Sequence, residues 1–187
     1  MFLESTYQPQ PKASLNELNI YDVAVLTAQI GDKPFLKISS TGHLTSGMVQ
    51  LVCYIIQGKH IVKTGRSLFK EDFYVINNRI ESPKITELFG EYDKRVTPFY
   101  MTEAIKALLS PTYRGFGPDT NKMCQQIIYE TVPKDYKELM NEFRETKPYL
   151  MGLDDQFKKI DKAYIKEYFE SQILKPTQIA DIQIGAE

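Results

Sequence analysis

The chain has 187 residues, 42% hydrophobic and 25% charged, the balance of an ordinary globular domain with enough material to bury a core. Its 23 basic and 24 acidic side chains nearly cancel, and a net charge of −1 argues against a nucleic-acid binder that relies on overall positive charge. The amino terminus lacks a basic stretch followed by an apolar one, and the longest apolar run, Leu51 to Ile56, is too short for a bilayer. The expectation is therefore a cytoplasmic protein without membrane contact.

Residues 1–13, with Pro9 and Pro11 among Gln and Lys, read as an extended arm. Ser14 and Glu17 have capping-box spacing, which predicts a helix from there to about Ile30 with Leu18, Tyr21, Val25 and Ala28 on one face. The same residues also fit a hairpin, VAVLTAQI and FLKIS around Gly31-Asp32-Lys33-Pro34. Periodicity leaves both open.

The segment from His43 to His60 holds both histidines and Cys53. Thr45 or Ser46 is placed to cap a helix start, and Gly58 stands where a left-handed C-terminal cap is wanted. On that helix Gln50, Tyr54 and Gln57 fall at i, i+4 and i+7. They form one polar-tipped stripe that either hydrogen-bonds inside or faces a partner. The helix also sends the two histidines to opposite ends, too far apart for one ion, and no zinc spacing is present. Cys53 lies among apolar neighbours and Cys124 has no nearby partner in sequence, so both are expected to be buried, inert thiols.

Lys59, Lys63, Arg66 and Lys70 make a basic cluster in the connection that follows, a candidate anion-binding patch. Neither this connection nor Arg114-Gly115-Phe116-Gly117 has the phosphate-loop pattern. FYVI and RIE around Asn77-Asn78 predict a β-hairpin, since Asn tolerates positive φ. Ser82-Pro83 and Thr97-Pro98 each start a helix, the second running to Ser110-Pro111. Asp119 is expected to cap a helix that ends near Pro133, and residues 134–146 continue with Tyr136, Leu139, Met140 and Phe143 along one side. Asp154 or Asp155 then caps a last helix with acid-first pairs to Lys158 and Lys159 and an aromatic face of Phe157, Ile160, Tyr164 and Tyr168. Residues 176–187 read as a tail.

Three segments in order resemble one family. Tyr21-Asp22-Val23-Ala24 resembles its opening helix. Leu44-Thr45, Gln50, Tyr54 and Gln57-Gly58 resemble its run I-T-x-x-K-L-Q-K-L-L-Y-Y-A-Q-G. Thr64-Gly65-Arg66-Ser67-Leu68-Phe69 with Glu71-Asp72 resembles the T-G-x-P-L-F-x-E-x block that follows. The chain is thus similar, over roughly residues 20–83, to the Panacea domain of the SocA-like antitoxin family. It departs from the pattern at Met48 and Leu51, where the family has lysines, and at Arg79-Ile80-Glu81, where it has G-P-V; residues 84–187 carry no family motif.

The resemblance implies a mainly α fold, one helical domain over residues 14–175 with a small β-hairpin inserted at about 69–81. It makes residues 20–30 and 46–57 helices, with Gln50, Tyr54, Gln57 and Gly58 as the framework stripe. It implies no catalysis, and no metal or cofactor is expected from the residues. The partner it implies is a cognate protein toxin encoded nearby, neutralised by direct binding, with a protease or chaperone as a further partner if the chain acts as an adaptor. Tyr164, Tyr168 and Phe169 are the candidate contacts, because aromatic residues are enriched in interface hot spots. Two other readings stand beside it. One is a phage structural or assembly protein forming homo-oligomers through its arm and tail. The other, less favoured, is a nucleic-acid-binding regulator using the Lys59–Lys70 cluster.

Overall fold

The structure, a computed structural model, describes residues 18–31, 42–91, 93–96 and 117–174. The arm, the Ser14–Glu17 box, the FLKIS strand, the helix from Thr97, the glycine-rich loop at 114–116 and the tail lie outside the described residues. Those described form a mainly helical fold of seven helices with a small three-stranded antiparallel sheet.

The first helix among the described residues, α1 (Ile20–Gly31), begins later than Ser14, with Asn19 before its first turn. The Asn19 side chain accepts the Tyr21 N–H at 3.0 Å, and the Asp22 carboxylate accepts the Asn19 N–H at 3.2 Å. This is a reciprocal capping box three residues wide. Ile20, Val23, Ala24, Val25, Leu26 and Ala28 are all buried, so α1 is apolar on nearly every side and lies inside the fold.

Helix α2 (Ser46–Thr64) starts at Thr45, whose hydroxyl accepts the Met48 N–H. It does not stop at Gly58. The left-handed cap is Gly65, at φ 73°, which donates its N–H to the Ile61 carbonyl. Much of the basic connection therefore continues the helix, and Gly58 serves packing instead.

Strands β1 (Phe73–Ile76) and β2 (Arg79–Glu81) pair around Asn77 and Asn78, at φ 48° and 60°. Positive φ at both central residues gives the turn twist that suits a two-residue hairpin. Arg144 donates from Nε and Nη2 to the Asn78 carbonyl, both at 3.1 Å, and ties down the turn tip. A third strand, β3 (Lys159–Ile160), pairs with β1, giving the order β2-β1-β3.

Helix α3 (Pro83–Phe89) follows Ser82 with proline in its first turn. Helix α4 (Pro118–Thr131) is preceded by Gly117 at the cap position; Asp119 lies inside the first turn and is not the cap. Helix α5 (Tyr136–Arg144) is capped by Asp135, which accepts from the Lys137 and Glu138 amides, and it buries Leu139, Met140 and Phe143.

The expected last helix is two helices. α6 (Lys147–Asp154) ends at the aspartates, and α7 (Lys162–Leu174) begins after β3. Asp155 does not cap the start of a helix; it follows the end of α6, with its N–H on the Met151 carbonyl, and its carboxylate accepts the Phe157 and Lys159 amides across a turn. The acid-first pairs do not form, because Lys158 donates to the Leu153 carbonyl and Lys159 pairs with Asp72 at 2.7 Å. Gly152 lets α6 approach the sheet: a Cβ there would lie 2.8 Å from Ile160 Cγ1 and 3.2 Å from Val75 Cγ2. One apolar cluster runs from α1 through α7, with α2 in the middle, packed on α1, α3, α4, α7 and β2.

Candidate functional site

Gln50, Tyr54 and Gln57 share one face of α2, and all three are buried, so the stripe points inward. Gln50 uses both ends of its amide on the start of α3. Its Oε1 accepts the Ser82 N–H at 2.7 Å, and its Nε2 donates to Thr86 Oγ1 at 3.1 Å and the Ser82 carbonyl at 3.4 Å. Gln57 does the same two turns on for the segment 65–70. Its Oε1 accepts the Leu68 N–H at 2.9 Å, and its Nε2 donates to the Phe69 carbonyl at 2.9 Å. The Leu68 carbonyl in turn accepts the Leu18 N–H at 2.9 Å. Each glutamine thus stands in for a neighbouring strand and satisfies backbone groups that burial would otherwise leave unpaired.

Between them, the Tyr54 ring meets Phe73 at 5.3 Å and Phe143 at 5.4 Å, both edge to face, and Phe169 at 5.9 Å. Its hydroxyl is buried with no hydrogen-bond partner among the described residues, and burial, followed by the nearby Tyr168, holds its pKa far above the usual phenol range. An orphaned buried hydroxyl costs about 1–3 kcal/mol. Tyr54→Phe is therefore expected to be neutral or to raise the melting temperature. A clear loss of stability in a thermal melt would show that the hydroxyl has a partner.

Gly58 completes the stripe. The Phe169 ring lies directly against it, and a Cβ at this position would sit 2.1 Å from Cδ2 and 2.2 Å from Cε2. This corrects the expectation for Phe169, which is 7% exposed and belongs to the core. Its absence from the surface follows from Gly58, whose missing side chain is the space the ring fills. Tyr168 is half-covered, its ring 6.0 Å from Phe143 and 5.0 Å from Phe169. Burial, followed by Glu142, raises its pKa. Tyr164 is the most peripheral of the three, with the Lys147 ammonium 4.9 Å above its ring and Lys147 also paired with Glu167 at 2.8 Å. Phe157, counted on the same aromatic face, is 75% exposed in the turn before β3.

The departures from the family run, Met48 and Leu51, are 4% and 0% exposed. A lysine at either place would be buried in this chain, so the substitution suits the surroundings it has here.

The histidines are well separated. His43 precedes the α2 cap and His60 lies in its last turns, roughly 20 Å further along the axis. No group of three or more metal-ligating side chains converges among the described residues. Cys53 and Cys124 are free and buried; burial pushes the Cys124 thiol up to about 12 and the Cys53 thiol higher still.

His60 Nδ1 lies 3.0 Å from the Arg66 carbonyl. Partial burial lowers its pKa, the Arg66 carbonyl opposes that shift, and Lys63 adds to it. A histidine whose folded pKa lies below its unfolded value of about 6.5 contributes stability that is complete above that value and lost as pH falls through it. Urea titrations should therefore show wild type losing more stability than His60→Gln between about pH 7.5 and about pH 5.5. Equal losses would remove the assignment.

Of the basic cluster, Lys59 pairs with Glu130 at 3.8 Å. Lys63, Arg66 and Lys70 are exposed around the end of α2. Lys162, not part of the expected cluster, joins it by donating to the Lys70 carbonyl at 2.7 Å. Its separation of 92 residues from Lys70 hides it in the sequence.

No helix among the described residues is long and apolar enough to cross a membrane. Comparison with protein-family models, with curated proteins and with solved structures found no match.

Proposed function

We propose that this chain is an antitoxin-like protein that neutralises a cognate toxin by direct protein–protein binding. The observation that supports this reading best is the contact between two blocks of the Panacea-like pattern. Gln57, from the first block, hydrogen-bonds Leu68 and Phe69 of the second, and Gly58 gives Phe169 its seat. Gln50 and Tyr54 have equally specific interior partners. A chance likeness between separate sequence blocks gives no reason for them to form one packing unit, whereas a shared fold does. With the stripe spent on the interior, a partner is met by the outer surface, where Tyr164 is the aromatic candidate; a specific complex would bury about 1,600 Å² in total.

Co-expression with the protein encoded beside it tests the reading. The expected result is restored growth and a complex that co-purifies; a neighbour that neither binds nor is neutralised overturns it.

A further inference from the structure

The turn after α2 is held along its length by side chains of α2 itself and, at its far end, by Lys162 of α7. Gly65 closes the helix with its N–H on the Ile61 carbonyl, and the Arg66 carbonyl faces His60 Nδ1 at 3.0 Å and Thr64 Oγ1 at 3.2 Å. Gln57 holds the Leu68 N–H and Phe69 carbonyl, and Lys162 holds the Lys70 carbonyl. A turn fixed in this way loses little further freedom when a partner docks on it.

The side chains it presents are cationic and have no carboxylate partner among the described residues. Lys63, Arg66 and Lys70 are exposed, and none makes an ion pair among the described residues, where the nearby acids are already engaged. Asp72 holds Lys159 at 2.7 Å and Lys162 at 3.4 Å, Glu71 accepts the Ile20 N–H, and Glu130 faces Lys59. The positive excess is local, on a chain whose net charge is −1.

We propose that this turn is a docking surface for an acidic protein partner, with Lys63, Arg66 and Lys70 as its contacts. The proposal rests on the partner-binding reading above for the kind of macromolecule involved. Nucleic acid fits less well, because salt-sensitive duplex binding typically engages about six to ten phosphates and these are three cations on a slightly acidic protein.

The test is titration of the full chain with an oligoglutamate peptide and, separately, a DNA duplex of equal charge, followed by amide chemical shifts and fluorescence anisotropy. Peptide-induced shifts should centre on residues 63–70 and fade as salt rises from about 50 mM to about 300 mM. The variant Lys63→Gln/Arg66→Gln/Lys70→Gln should bind the peptide about tenfold more weakly, while Lys134→Gln/Lys137→Gln, with exposed lysines elsewhere, should match wild type. Unchanged binding by the triple variant, shifts centred elsewhere, no binding at low salt, or tighter binding of the duplex than of the peptide would each overturn the proposal. The peptide is not the toxin, so this surface and the growth-rescue reading fail separately.

Discussion

Gly58→Ala should destabilise the protein by about 1–3 kcal/mol, even though alanine is the better helix former by about 1 kcal/mol. A Cβ at this position would meet Phe169 Cδ2 at 2.1 Å, Cε2 at 2.2 Å and Cγ at 2.8 Å. The atoms in the way belong to a rigid aromatic ring, itself packed on Tyr54 and Tyr168, so relief requires α7 to move away from α2. The sign of the effect is the informative part. In a Phe169→Ala background the obstruction is gone, and Gly58→Ala should become neutral or stabilising through helix propensity alone. Denaturant melts of the four proteins in that cycle measure the coupling. Additive effects would mean that the ring does not lie on Gly58.

Gln57→Leu has an expected cost at least as large, about 2–6 kcal/mol, for a different reason. The side chain is nearly the same size, so little packing is lost. What is lost is the partner of two buried backbone groups, the Leu68 N–H and the Phe69 carbonyl, each of which costs about 1–3 kcal/mol when left unmade. The segment has few alternatives, because the Leu68 carbonyl is already committed to Leu18. Urea melts should show a lower midpoint with an unchanged slope. A loss below about 0.5 kcal/mol, the scale of an ordinary surface substitution, would mean that water replaces the amide.

These two residues show what was legible in the sequence. Helical spacing put Gln50, Tyr54 and Gln57 on one face, and local chemistry marked the Asn77-Asn78 hairpin and the proline start of α3. Whether the stripe faced inward depended on partners at 65–70, 82–86 and 169, which no local rule connects to α2. Gly58 misled for the same reason. A glycine near the end of an apolar run has the form of a helix stop, and only the ring of Phe169, more than a hundred residues later, shows that it is a seat. Gly65, the actual stop, was visible but lay beyond the apolar run.

In the last third, two aspartates before a charged and aromatic run resembled a helix start. Thr146-Lys147-Pro148, with proline in a first turn, was the competing signal for α6. Strand β3 has two residues and takes its identity from β1, so nothing within it announces a strand. The basic residues were visible at once, but which of them remain unpaired was not. Lys59 finds Glu130 on α4 and Asp72 is shared by Lys159 and Lys162, all distant in sequence.

Native-state hydrogen exchange at the Leu68 and Ser82 amides tests the interior framework most directly, since each donates to a glutamine of the stripe. Both amides lie outside regular secondary structure, where exchange is ordinarily fast. If Gln57 and Gln50 hold them, both should be protected to nearly the level of the α2 core around Cys53. Exchange at the rate of an unprotected amide would contradict that, and would return the stripe to the surface.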